Sequence, residues 1–167
     1  AQGMGDLDRR GADDAVVLRV DSPGGSAFAS DEIHHAIARV KEEGKPVVVS
    51  MGGVAASGGY FVAANADAIW AEPTTITGSI GVFSGKFATA QLFDRLGITT
   101  TTLARGRNAA IDSSVSPWDA VQRARMEALV DNIYLDFKNK VAEGRGLTAE
   151  QIGRRHSPPV GDGSRVG

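Results

Sequence analysis

The sequence predicts an α/β fold with a mainly parallel sheet. Three observations carry this. Short runs rich in β-branched and apolar residues, at 15–20, 47–50 and 68–71, read as strands, the first of them buried. Apolar residues at helical spacing lie between and after them, first Ile33, Ala36, Ile37 and Val40. Glycine and proline punctuate the joints, at Pro23-Gly24-Gly25, at Gly44-Lys45-Pro46 and at Gly97. Strands alternating with helices in this way favour parallel pairing.

Taken in order, residues 1–14 are polar and glycine-rich and read as a loop or a frayed helix end. The first strand follows, with Arg19 its odd residue. Ser30 is the expected cap of the next helix, where Asp31 and Glu32 suit its positive end, and Gly44 is its expected stop. His34 and His35 share this helix but point about 100° apart, which makes a poor metal pair, so they read as solvated. Residues 80–83 are expected as a fourth strand. Residues 87–96 are expected as a helix with Leu92, Phe93 and Leu96 inward, stopped by Gly97. Residues 99–103 suit a fifth strand by β-propensity alone. Residues 104–116 read as a polar loop, in which Arg105 and Arg107 suit either solvent or a carboxylate. Ser116-Pro117 is the expected start of a long helix whose apolar stripe runs Met126, Leu129, Val130, Ile133, Phe137, Val141. Residues 147–152 begin a short capped helix.

At 167 residues the chain is long enough for one domain with a real core. A formal net charge of −2 gives no reason to expect a nucleic-acid partner. The absence of cysteine excludes disulfides and thiolate metal sites. No apolar run approaches the roughly 20 residues that span a bilayer. Residues 153–167 are poor in apolar residues and rich in Gly, Pro and Arg, and read as a disordered tail beyond a domain at 1–152.

Two segments carry chemistry. In Met51-Gly52-Gly53-Val54-Ala55-Ala56-Ser57-Gly58-Gly59-Tyr60 a single serine sits among residues with almost no side chain, between a strand and a helix. Such a serine can point its hydroxyl out of the turn, with its own N–H and the next near the helix's positive end. The same small residues equally suit tight packing of a helix on a sheet. In Asp21-Ser22-Pro23-Gly24-Gly25-Ser26, proline fixes one φ and two glycines free the next two. A turn of this kind can aim N–H groups at an oxyanion, or simply join strand to helix.

Together with 44–52 and Thr77-Gly78-Ser79-Ile80-Gly81-Val82, these segments resemble the signal peptide peptidase A family. Its members are serine peptidases that share a fold with the Clp protease and the crotonases. The resemblance implies a repeated β-β-α spiral. It implies Ser57 as nucleophile, Gly25 and Gly58 as oxyanion-hole donors, and Ser79 as the serine that holds the general base. It implies no cofactor, peptide substrates such as remnant signal peptides, a homo-oligomer, and a membrane-associated protein with an extracytoplasmic domain. The base is a lysine in this family, but Ala109 stands where single-domain members would place it. In double-length members an upstream repeat supplies it, and this chain looks like the downstream repeat, truncated at its N-terminal side. Lys86 is the lysine nearest the Ser79 motif, although a solvated loop lysine is the ordinary reading there. Two other readings accompany this one: a non-catalytic peptide-binding or scaffold domain, and a crotonase-type acyl-thioester enzyme.

Overall fold

A computed structural model describes residues 15–148 and 150–152. The expectations for 1–14 and for the tail at 153–167 lie outside the described residues. The chain divides into two compact units. One holds the residues up to Gly81 and those from Tyr134 on; the other is Val82–Ile133.

The first unit is built on four parallel strands. β1 (Val16–Ser22), β2 (Val47–Ala56) and β3 (Ala68–Trp70) lie in that order. β4 (Ile76–Gly78) pairs with the distal part of β2. The β1–β2 register shifts between Val20 and Ser22, whose partners are Met51 and Ala55. β2 is thus bulged at 52–54, and Asp21 Oδ1 closes the bulge by accepting from the Val54 N–H at 3.1 Å. Gly52 is needed here, since a methyl group on it would lie 2.7 Å from Asp21 Oδ2.

Helix α1 (Ala27–Glu42) and helix α2 (Gly58–Ala63) cover one face of this sheet. Val20, Ile37, Val47, Val49, Met51 and Val62 fill the space between. α2 has a second apolar neighbour. Phe61 and Ala64 pack with Ile80 and with Phe137 and Val141 of helix α4 (Ala120–Arg145). Gly59 and Ala63 are buried where this helix meets its neighbours, and a methyl group on Gly59 would collide with Ser22, so the tight-packing reading of the Gly/Ala run also holds.

Several expectations are corrected. α1 begins earlier than Ser30: Ser26 is its cap, with Oγ accepting from the Ala29 N–H, and Asp31 and Glu32 lie beyond its first turn. Gly44 does stop α1, with φ +81°. His34 is buried rather than solvated, and its Nδ1–H donates to the Phe61 carbonyl at 3.3 Å. The fourth strand is 76–78, not 80–83. Hydroxyls hold it: Thr75 and Thr77 donate to the Gly52 and Ala55 carbonyls of β2.

In the second unit the helix expected at 87–96 shortens to α3 (Ala90–Arg95), and Leu92 and Leu96 are exposed. Gly97 stops it with φ +69°. Residues 99–103 form no strand, because no neighbouring strand offers them a ladder. α4 starts after Asp119, not at Ser116. Asp119 Oδ1 accepts from the Gln122 N–H at 2.7 Å while Gln122 Oε1 accepts from the Asp119 N–H, a capping box. Thr148 and Gln151 form the same reciprocal pair, as expected for the short helix there. Among the described residues, no helix is long and apolar enough to cross a membrane.

Candidate active site

Ser57 stands alone between β2 and α2, with φ 50° and ψ −121°. A non-glycine residue at positive φ carries backbone strain, and neighbours must impose it. Three do so. The Ser57 N–H donates to the Gly78 carbonyl at 2.9 Å, fixing the turn from the β4 side. The Ser57 carbonyl accepts from the Phe61 N–H and starts α2. On the remaining side lies Gly24, φ +103°, where a methyl group would come within 2.7 Å of both Ser57 Cβ and the Gly58 nitrogen. The bulge in β2 sets the approach, because it turns Ala55 and Ala56 relative to β1 just before the serine.

The Ser57 N–H, one of the two donors the sequence offered, is therefore spent on Gly78. The next N–H, that of Gly58, has no protein acceptor among the described residues, and neither has that of Gly25. These two groups are close together. A methyl group on Gly58 would lie 3.4 Å from the Gly25 nitrogen and 3.4 Å from the Gly24 Cα. The turn is held by Ser22, whose Oγ accepts from the Gly24 N–H at 3.2 Å. Pro23 and the φ +144° of Gly25 complete it. Gly59 brings α2 against β1, since a methyl group there would lie 2.6 Å from the Ser22 carbonyl oxygen. Two free donors on a partly exposed surface beside a hydroxyl can hold an oxyanion.

Ser79 directly follows Gly78, the residue that binds the Ser57 N–H. It is exposed and has φ 51°, the other non-glycine residue at positive φ among those described. Beside the site a cavity of about 500 Å³ opens between β1, α1 and the start of α2, lined by Ser22, Gly24, Ser30, Ile33, Gly58 and Val62 among others. Lys86 belongs to the second unit, where its Nζ donates to the Ile111 carbonyl at 3.0 Å and lies over the Trp118 ring.

Three features of the site were not read from the sequence. Gly24 as the surface against Ser57 had a signal in the Gly-Gly pair. Gly78 as acceptor had one in Thr77-Gly78-Ser79. The packing of Ser30 against Gly58 had none.

Residues 39–155 match the family model of peptidase family S49, and residues 2–73 match that of the Clp protease. This chain belongs to peptidase family S49. It is 41% identical over 138 residues to Protease 4 of Salmonella typhi, covering 83% of this chain and 22% of that protein. It is 38% identical over 139 residues to the chloroplastic serine protease SPPA of Arabidopsis thaliana, covering 83% and 20%. With a putative signal peptide peptidase SppA of Enterococcus faecium it shares 32% over 154 residues, covering 90% and 44%. The chain thus spans from about a fifth to less than half of the length of these relatives. A mutant ClpP1 from Listeria monocytogenes superposes with a TM-score of 0.54 at 17% identity, over 94% of this chain and 73% of that one. That likeness shows the Clp protease fold, as the sequence motifs implied.

Proposed function

We propose that this S49 chain is the nucleophile-bearing part of a serine endopeptidase acting on extended, apolar peptides. The observation that carries the reading is the pairing of a strained, isolated Ser57 with the two unspent N–H groups of Gly25 and Gly58. Ser57 Oγ attacks the peptide carbonyl and gives up its proton to a base. The oxyanion rests on the Gly25 and Gly58 N–H groups. The amine leaves with a proton, and water then releases the acyl group. Relatives named Protease 4, serine protease SPPA and signal peptide peptidase SppA support this chemistry.

The base in this reading is a lysine supplied from outside the chain, by an upstream repeat, and oriented by Ser79. Its support is that lysines in the unit of Ser57 are engaged elsewhere. Lys41 pairs with Asp67, Lys140 with Asp31 and Asp136, and Lys138 lies over Tyr134. Lys86 is the alternative within the chain. A homo-oligomer and membrane association belong to the same proposal. The engaged lysines also favour a second reading, a non-catalytic peptide-binding domain.

Cleavage of an internally quenched apolar peptide separates them, measured with the chain alone, with the lysine-bearing repeat added, and with Ser57→Ala in each case. Cleavage that appears on adding the repeat and vanishes in Ser57→Ala supports the peptidase. Cleavage by the chain alone that Lys86→Ala removes moves the base to Lys86. No cleavage under any condition, with the peptide still bound, favours the binding domain.

A further inference from the structure

Ser30 lies in the second turn of α1, only 7% exposed. Its Oγ donates to the Ser26 carbonyl at 3.0 Å. Ser26 follows Gly25 directly, so this bond holds the chain one residue beyond a free donor. The same Oγ sits against Gly58, where a methyl group would run into it. One hydroxyl therefore touches both sides of the candidate oxyanion hole: the Ser26 carbonyl, two peptide units on from the Gly25 N–H, and the backbone of Gly58. Ser26 adds a second tie, as its own Oγ accepts from the Ala29 N–H at 3.3 Å and fixes where α1 begins.

We propose that Ser30 is a positioning residue, setting the spacing between the Gly25 and Gly58 N–H groups. The inference rests on the serine acyl-transfer reading above. A serine bonded to the carbonyl four residues back is a common feature inside helices and by itself slightly disfavours them. Alanine is the better helix former. A purely structural Ser30 would then be replaced by alanine at no loss. A spacer would not, because alanine leaves a gap over Gly58 and removes one of the two bonds that hold the Ser26 carbonyl, leaving only that from the Ser30 N–H.

The test is labelling of Ser57 by a fluorophosphonate, whose adduct places an oxygen in the hole. Rates are taken across reagent concentrations at about pH 9, where hydroxide can serve as base. Loss of a whole oxyanion donor costs about 10²–10³ in rate, and loss of its alignment is expected to cost about tenfold. Ser30→Ala should therefore lower the maximal labelling rate about tenfold, leave the half-saturating concentration unchanged, and melt no earlier than the wild type. Ser30→Thr keeps the hydroxyl and should recover most of the rate. Wild-type rates in Ser30→Ala, or a loss confined to half-saturation, overturn the positioning role. Absence of Ser57 labelling in the wild type overturns the acyl-transfer reading itself.

Discussion

Gly24 packs so closely on Ser57 that a methyl group on it would lie 2.7 Å from the serine Cβ. Gly25, one residue on, has nothing within 4 Å of the same position. Both have positive φ, +103° and +144°, so any side chain is strained at either. The two substitutions separate strain from collision. Gly24→Ala should reduce Ser57 labelling about a hundredfold or more, and Gly25→Ala clearly less, by rate measurement on folded protein. Equal losses would mean that contact with Ser57 is not what Gly24 provides.

Gly144 plays the corresponding part in the second core. A methyl group there would press into the Ala64 carbonyl at the end of α2, to which Arg145 Nε also donates at 3.0 Å. Gly144→Ala removes a poor helix former yet should destabilise, by about 1–3 kcal/mol of overpacking. At roughly 2–4 °C per kcal/mol for a domain of this size, the melting temperature falls measurably. An unchanged or raised Tm would contradict the contact.

His34 makes stability depend on pH near neutrality. Burial lowers its pKa below 6.5, opposed by its bond to the Phe61 carbonyl, with Lys140 and His35 adding to the lowering and Asp31 opposing it. Above 6.5 both folded and unfolded forms are neutral, and the stability is complete. As pH falls from 6.5 through the folded value, the unfolded chain gains the proton first and stability is lost. Thermal melts between about pH 8 and pH 5 should show this decline, and His34→Phe should flatten it. A His34→Phe variant with the same slope as the wild type would place the titration elsewhere.

Asp31 acts on the acid side. Its hydrogen bond from Lys140 lowers its pKa below 3.8, while partial burial opposes this. Lys140 loses basicity to burial but gains more from its bonds to Asp31 and Asp136, so its pKa rises. The Asp31 contribution is complete above pH 3.8 and is lost as pH falls through the folded value. Asp31→Asn should melt earlier than the wild type at neutral pH and converge with it once the pH has fallen below the folded value. Curves that stay parallel down to that pH would refute the pairing.

How far the sequence could be read follows from which forces built each part. β1 and β2 are packed by apolar side chains, and their β-branched runs announced them. The end of α1 needed a left-handed residue, and Gly44 announced that. β4 is attached by Thr75 and Thr77 hydroxyls to backbone carbonyls, which leaves no apolar pattern to find. Residues 99–103 show the converse, since β-propensity without a neighbouring strand makes no sheet. Ser26 and Ser30 are both good caps, and only the position of the glycine turn decides between them. At the site, the serine and the two glycine donors were legible because their motifs are local. Gly78 and Ser30 act through contacts 21 and 28 residues from Ser57 and Gly58, which no local pattern records.

The central claim is that Ser57, set by Gly24 and faced by the Gly25 and Gly58 N–H groups, is an acyl-transfer nucleophile. Fluorophosphonate labelling of the chain from about pH 7 to pH 10, mapped by mass spectrometry, tests it whatever group serves as the base. The account predicts an adduct confined to Ser57 that forms faster as pH rises, is absent in Ser57→Ala and is unaffected by Lys86→Ala. Adducts spread over other serines, or none at Ser57 even at the highest pH, would contradict it.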